Sequence, residues 1–203
     1  MNDLYAAVVH DVKNQLAELA LRLGERGDAQ QEMVIAMNAA RRLSEMLLVH
    51  RQASDLLGVN VDSVNPVDFL AILAAEYREL FPRLSIDISI DRAPGFAFFD
   101  DALVRMALAN AIHNACRYAR SCVQLAAYVN DNMLVFEVSD DGTGFPQNVL
   151  TEGGMAPSSV SGEGTGLGLY LARKIAELHQ MEGRHGRVEL SNDEGAVFRM
   201  MLP

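Results

Sequence analysis

The stretch GVNVDSVNP, residues 58 to 66, separates two kinds of sequence. Ahead of it, up to Leu57, there is neither a proline nor an alternating run; apolar residues recur at helical spacing instead, at Leu4, Val8, Val12, Leu16, Leu19 and Leu23. Beyond it, LSIDISI alternates apolar and polar as a half-buried strand does, and strands and helices then intermingle to the end of the chain. Side chains repeat every 3.6 residues on a helix face and every second residue on a strand face, so one pattern cannot serve both structures. Turn formers crowd the boundary itself. The expectation is therefore two units, residues 1–58 and 59–203, joined by a linker over 58–66.

The first unit reads as a helical hairpin. GERGD, residues 24 to 28, supplies a turn, and Met33, Met37, Ala40, Leu43 and Leu47 form a second apolar stripe after it. Each helix then carries one apolar face with little of its own to cover it. Pairing with a second copy into a dimeric four-helix bundle is the economical solution, which predicts a homodimer.

In the second unit PVDFLAILAAEYRELF reads as a helix opened by Pro66, FAFF as a strand and DDALVRMALANAIHNACRYA as a helix. CVQLAAYV and MLVFEVSD flank the turn-rich NDN as a hairpin. GLGLYLARKIAELHQM is helical, and GRVELSN and AVFRMML close the chain as strands. This order predicts an α+β fold, a two-layer α/β sandwich with a mixed, mostly antiparallel sheet. A hydrophobic content of 50% supports a real core, and no internal repeat is visible.

The formal charge of −10 argues against a protein that coats nucleic acid, since such binders carry a strong basic face. No segment approaches the roughly 18 apolar residues of a membrane span, which predicts a soluble, cytoplasmic chain without a membrane segment. The two cysteines, Cys116 and Cys122, have no spacing suited to zinc and read as reduced thiols without chemistry.

The chemistry-bearing residues begin with HDVKNQL, residues 10 to 16. At about 100° per residue the apolar stripe of the first helix centres near about 65° from Leu4, and His10 falls near about 240°. His10 therefore points away from the bundle interior. Asp11 is adjacent, Lys13 is near and Asn14 lies one turn on along the same face. A neutral imidazole acts as a nucleophile when a neighbouring carboxylate takes or orients its proton, and an amide one turn away can hold a water. Taken singly, Asp11, Lys13 and Asn14 are equally well an ordinary solvated face. The other histidines, His50, His113, His179 and His185, read as structural or solvated.

Asn110 and Asn114 are four apart and share a helix face, with Arg117 and Tyr118 about a turn further on. Asparagine oxygens suit a magnesium ion that keeps several waters, Asn114 first and Asn110 as a second candidate, and a guanidinium neutralises phosphate charge; plain helix-surface polarity fits the pair as well. In DDGTG, residues 140 to 144, Asp140 ends a strand and can accept a hydrogen bond from an adenine amino group, while Gly142 and Gly144 admit a ring closely; a strand-ending turn is the simpler alternative. GEGTGLGL, residues 162 to 169, approaches a helix N-terminus through glycines, a setting in which free N–H groups favour phosphate. Neither a dinucleotide-binding order nor a GK[ST] loop is present.

The succession HDVKN, NAIHN, DDGTG and GTGLG is more specific than any of its members. It resembles the H-, N-, G1 and G2 boxes of two-component sensor histidine kinases, over nearly the whole chain. The resemblance implies a dimerisation and phosphoacceptor hairpin joined to a catalytic domain of the GHKL ATPase fold, which gyrase and heat-shock chaperones share. It implies that His10 is the phosphoacceptor, Asp11 its acidic neighbour and Asn14 a phosphatase-type amide. Asn110 and Asn114 are then expected to hold Mg-ATP, Arg117 to lie near the phosphates and Tyr118 near the nucleoside. Asp140, Gly142 and Gly144 are expected at the adenine, and Gly164, Thr165, Gly166, Leu167 and Gly168 at the phosphates and the lid. ATP and Mg2+ are the implied cofactors, and the receiver aspartate of a response regulator is the implied acceptor. Three features depart from the family pattern: Gln15 stands where many H-boxes have proline, the lid lacks paired phenylalanines, and the hairpin is short, as in the phosphorelay phosphotransferases that resemble degenerate kinases. Two other readings share the architecture, a phosphorelay histidine phosphotransferase with a vestigial nucleotide fold and an anti-sigma-type serine kinase.

Overall fold

The computed structural model describes residues 58–152 and 167–203, and within the N-terminal part residues 12–16, 18, 19, 22, 23, 32, 35, 36, 39 and 43. The chain divides into two compact units, Met1–Gly58 and Val59–Pro203. In the first unit every described position before Gly58 is helical, including the run 12–16. In that unit Val12 and Leu19, two residues of the first apolar stripe, are 40% and 47% exposed in the single chain.

The second unit starts with β1 (Asp62–Val64), inside the stretch expected to be a linker. Three residues among turn formers are too few to show alternation. Pairing makes the strand: β1 lies antiparallel to β3 (Ala97–Phe99), with Asp62 opposite Phe99. Helix α1 (Pro66–Leu80) follows, with Pro66 at its start and Asn65 capping it by accepting from the N–H groups of Val67 (2.9 Å) and Asp68 (3.3 Å). Its buried stripe comprises Phe69, Leu70, Leu73, Ala74 and Tyr77. After β2 (Ser85–Ser89) and β3 comes α2 (Asp101–Tyr118), capped by Asp100.

Strands β4 (Cys122–Asn130) and β5 (Met133–Asp140) form the expected hairpin, its two-residue turn made by Asp131 and Asn132 at positive φ. A short helix, α3 (Gln147–Glu152), and then α4 (Leu167–Leu178) lead to a small hairpin, β6 (Gln180–Met181) and β7 (Arg184–His185). The chain ends in β8 (Arg187–Asn192) and β9 (Ala196–Leu202). The main sheet has the order β2-β4-β5-β9-β8; β2 and β4 are parallel and every other pair is antiparallel. The fold is thus the α+β sandwich with a mixed, mostly antiparallel sheet.

One face of the sheet carries Ile86, Val123, Leu125, Phe136, Val138, Phe198 and Met200, all buried, and α1, α2 and α4 pack on the strands that carry it. At its centre the rings of Phe69, Phe99 and Phe136 meet pairwise at 5.3 to 5.7 Å. The opposite face is mixed: Glu137 accepts from Tyr128 Oη (2.9 Å) and Arg199 Nε (2.6 Å), beside a small buried cluster of Met133, Val135 and Met201. No helix among the described residues is long and apolar enough to cross a membrane.

The expected last helix stops at Leu178, short of Met181, because His179 turns inward. The Asp100 N–H donates to His179 Nε2 at 3.0 Å, and since an N–H can only donate, the ring proton sits on Nδ1 and bonds the Ile175 carbonyl at 2.8 Å. Asp100 also accepts from Leu103 N (2.9 Å) and Asn60 N (2.8 Å). One buried carboxylate therefore caps α2 and holds the entry to β1. Asp100→Ala should lower unfolding stability in urea by about 1–2 kcal/mol, and Asp100→Asn should recover only part of that loss, since its one amide oxygen can cap Leu103 N but its NH2 cannot accept from Asn60 N.

Candidate functional site

The second half of α2 is the base of the site. Asn110 is 4% exposed whereas Asn114, one turn on, is exposed, so the two amides share a face at different depths. Asn110 lies beneath the first turn of α4: a Cβ at Gly168 would fall 1.5 Å from its Nδ2, so the helices approach closely there only because residue 168 is glycine. Arg117 and Tyr118 are both exposed at the end of α2, with the guanidinium 5.4 Å from the Tyr118 ring centroid. His113 is buried edge-on to Phe81 and faces the core.

The loop after β5 is pressed against this end of α2. A Cβ at Gly142 would sit 2.3 Å from the Tyr118 carbonyl oxygen and 2.7 Å from Asp140 Oδ1. Backbone cannot yield there as a side-chain tip can. Asp140 Oδ1 accepts from Gly142 N (2.8 Å) and more weakly from Ala196 N (3.4 Å), while among the described residues Oδ2 takes no hydrogen bond. Gly144 has φ +80°, the left-handed region, and a Cβ there would also meet the Asn192 amide at 2.7 Å. Burial, with the Asp140 charge as the second cause, pushes the Cys116 thiol up to about 12, so this cysteine stays protonated.

Along α2, then, Gly168 closes on Asn110 in mid-helix and Gly142, with Asp140, closes on Tyr118 at its end, while Gly144 meets Asn192 further along the loop. Leu167 opens α4, where the N–H groups of a first helical turn lack intrahelical partners. Gly164, Thr165 and Gly166 lie outside the described residues, as do His10 and Asp11. Asn14 is helical and exposed, as its place off the apolar stripe requires. Among the described residues no cluster of three His, Cys, Asp or Glu stands ready for a metal.

Three residues of the site were not legible in the motifs. Asp141 accepts from Arg120 N (2.7 Å), Ser121 N (3.0 Å) and Ser121 Oγ (2.6 Å). Asn192 accepts from Phe145 N (2.8 Å) and donates to Phe145 O (3.0 Å). Gly195 sits so close to the Asp140 carbonyl that a Cβ would lie 1.8 Å from its oxygen. Asp141 was in plain view beside Asp140; Asn192 ends β8 and Gly195 lies in the turn after it, whose only sequence signal is its composition.

Residues 99–203, just over half of the chain, match the family described as Histidine kinase-, DNA gyrase B-, and HSP90-like ATPase. The chain belongs to that family. The match runs from the end of β3 to the C-terminus and so takes in α2, the 140–144 loop and α4. Over 191 residues the chain is 27% identical to the sensor protein PhoQ of Escherichia coli K12, covering 87% of this chain and 38% of that protein. Among solved structures, full-length ShkA in complex with AMPPNP superposes over the whole chain and 46% of its own, with a TM-score of 0.70 and 19% identity. The ATP-binding domain of PrrB from Mycobacterium tuberculosis covers 71% of this chain and 97% of its own, with a TM-score of 0.56 and 27% identity. The sensor histidine kinase resemblance and the ATPase-type fold expected from the four boxes are thus both found.

The Ser121 hydroxyl and N–H, with the N–H groups of Cys122 and Arg120, hold the Asp141 carboxyl well below its usual range. A depressed folded value stabilises the fold above the ordinary Asp value of 3.8, and that contribution is lost as pH falls from there through the folded value. Urea unfolding of wild type and Asp141→Asn should therefore differ by a constant amount near neutrality, with the difference shrinking below that point.

Proposed function

We propose that this chain is the catalytic core of a two-component sensor histidine kinase: it binds Mg-ATP in the second unit, transfers the γ-phosphoryl group to His10, and passes it on to the aspartate of a response-regulator receiver domain. The observation that carries the reading is the pairing of Asp140, one carboxylate oxygen of which takes no hydrogen bond among the described residues, with a loop that approaches α2 through glycine. An exocyclic amino group is a donor, and a flat base needs backbone without side chains beside it.

The donor set fits a nucleotide. Asp140 takes the adenine amino group, and Tyr118 offers an exposed ring beside it. Arg117 brings an exposed cation to the phosphates, and the first turn of α4 adds unpaired N–H groups. Asn114 presents an exposed amide to Mg2+, with Asn110 behind it, and a small oxygen-seeking ion that keeps its waters requires no carboxylate cage. When bound, the ion neutralises phosphate charge. The protein's own work is placement: His10 attacks the γ-phosphorus in line, a P–N bond forms as the bond to the bridging oxygen breaks, ADP leaves, and Asp11 receives or orients the ring proton. Asn14, on the His10 face, is suited to orient a water for hydrolysis of the phosphorylated partner.

Residues 1–58 act in this scheme as the dimerisation hairpin and residues 59–203 as the ATP-binding domain. The exposure of Val12 and Leu19 in the single chain supports a bundle completed by a second copy. The chain spans 38% of the length of PhoQ, and the activity assigned here is that of the core.

Incubation with γ-labelled ATP and Mg2+ should give a label on the protein that is lost in acid and kept in base. His10→Gln should abolish it, and Asn114→Ala should slow it by about 100-fold. An acid-stable label, or one untouched by His10→Gln, would favour a serine kinase; no ATP binding at all would favour a phosphorelay shuttle.

A further inference from the structure

The 140–144 loop is gripped at both ends, by Asp141 within the loop itself and by Asn192, which lies outside the four boxes. On the α2 side, the Asp141 carboxylate gathers the N–H groups of Arg120 and Ser121 and the Ser121 hydroxyl at 2.6 to 3.1 Å, tying the start of the loop to the turn that leaves α2. On the β8 side, the Asn192 amide closes two hydrogen bonds with the main chain of Phe145, at 2.8 and 3.0 Å. Between the clamps lie Gly142, Thr143 and Gly144, and Asp140 immediately precedes the first clamp.

The clamps are polar and sit at the surface; Asn192 is exposed. Neither residue belongs to the buried core, so packing it is not their main effect. Their effect is on one short backbone segment. An Asp140 carboxylate reads a base edge only if its direction is fixed before the base arrives, because a loop that must be ordered on binding spends binding free energy on that ordering. Oδ1 is fixed locally by the Gly142 N–H, and that N–H is itself placed by Asp141 next to it in the chain. Asn192 does the same from the far side and also fills the space that a side chain at residue 144 would need.

We infer that Asp141 and Asn192 are positioning residues for base recognition: by clamping the 140–144 loop at both ends they set the selectivity for adenine over other bases. This rests on the adenine-nucleotide site proposed above. Neither residue touches the nucleotide; each acts through the loop backbone on Asp140. A purely structural role would weaken every nucleotide alike, whereas a positioning role weakens the one whose base is read.

The test is calorimetric titration of the full chain with ATP and, separately, GTP in the presence of Mg2+. Wild type should prefer ATP. Asp141→Ala and Asn192→Ala should each raise the Kd for ATP by about tenfold with little change for GTP, narrowing the ATP-to-GTP preference by a similar factor. Asp141→Asn, which keeps one acceptor oxygen, should fall between, and Asp193→Ala in the adjoining turn should match wild type. An unchanged ATP-to-GTP ratio in both alanine variants overturns the inference. Should those variants melt below the assay temperature, Asp141→Asn and Asn192→Ser decide it by the same ratio. A wild type that binds neither nucleotide, or shows no preference, overturns the adenine-nucleotide site itself and the inference with it.

Discussion

The candidate site depends on how closely backbone can approach backbone at the end of α2. Side chains at residues 142 and 195 would put their Cβ atoms 2.3 Å from the Tyr118 carbonyl oxygen and 1.8 Å from that of Asp140. Glycine at both places lets the 140–144 loop lie between the exit of α2 and the turn joining β8 to β9. Asp140 Oδ1 then closes on the Gly142 N–H, and the Asp140 carboxylate is left half-buried where the loop meets the end of α2. The loop takes its place from that contact, and the first turn of α4 from the matching one at Gly168 against Asn110.

What makes such a contact durable is the frame behind it. The Phe69, Phe99 and Phe136 cluster joins α1 and β3 to the middle of the sheet, and β5, which ends in Asp140, is paired on both sides, by β4 and β9. The site loop therefore starts from a central strand, among the least mobile elements of a fold. Asp100 and His179 perform a similar service for α2, fixing its start and the end of α4 through one shared bond.

Much of this was legible in the sequence because the signals were local and strong. Pro66 announced α1, NDN announced the β4–β5 turn, and alternation in LSIDISI announced β2. Local rules gave out where pairing or packing made the structure. Strand β1 exists because FAFF lies beside it, α3 is too short for a periodic pattern, and β6 takes the last two residues of the expected helix, its hairpin turning on Glu182 and Gly183 just beyond. At the site, the glycines and Asp140 could be read because their residue types are restrictive. The burial of Asn110 beneath α4 could not, since it depends on a helix more than fifty residues later in the chain. The clamping roles of Asp141 and Asn192 are likewise invisible without the fold, as aspartate and asparagine are ordinary turn residues.

A structure of the chain bound to a non-hydrolysable ATP analogue and Mg2+ would test the central claim most directly. The account predicts the adenine amino group within hydrogen-bonding distance of the Asp140 carboxylate, the ring beside Gly142, and the ion at the Asn114 amide oxygen. Finding the base elsewhere, or a closed loop with side chains where the ring should lie, would contradict it.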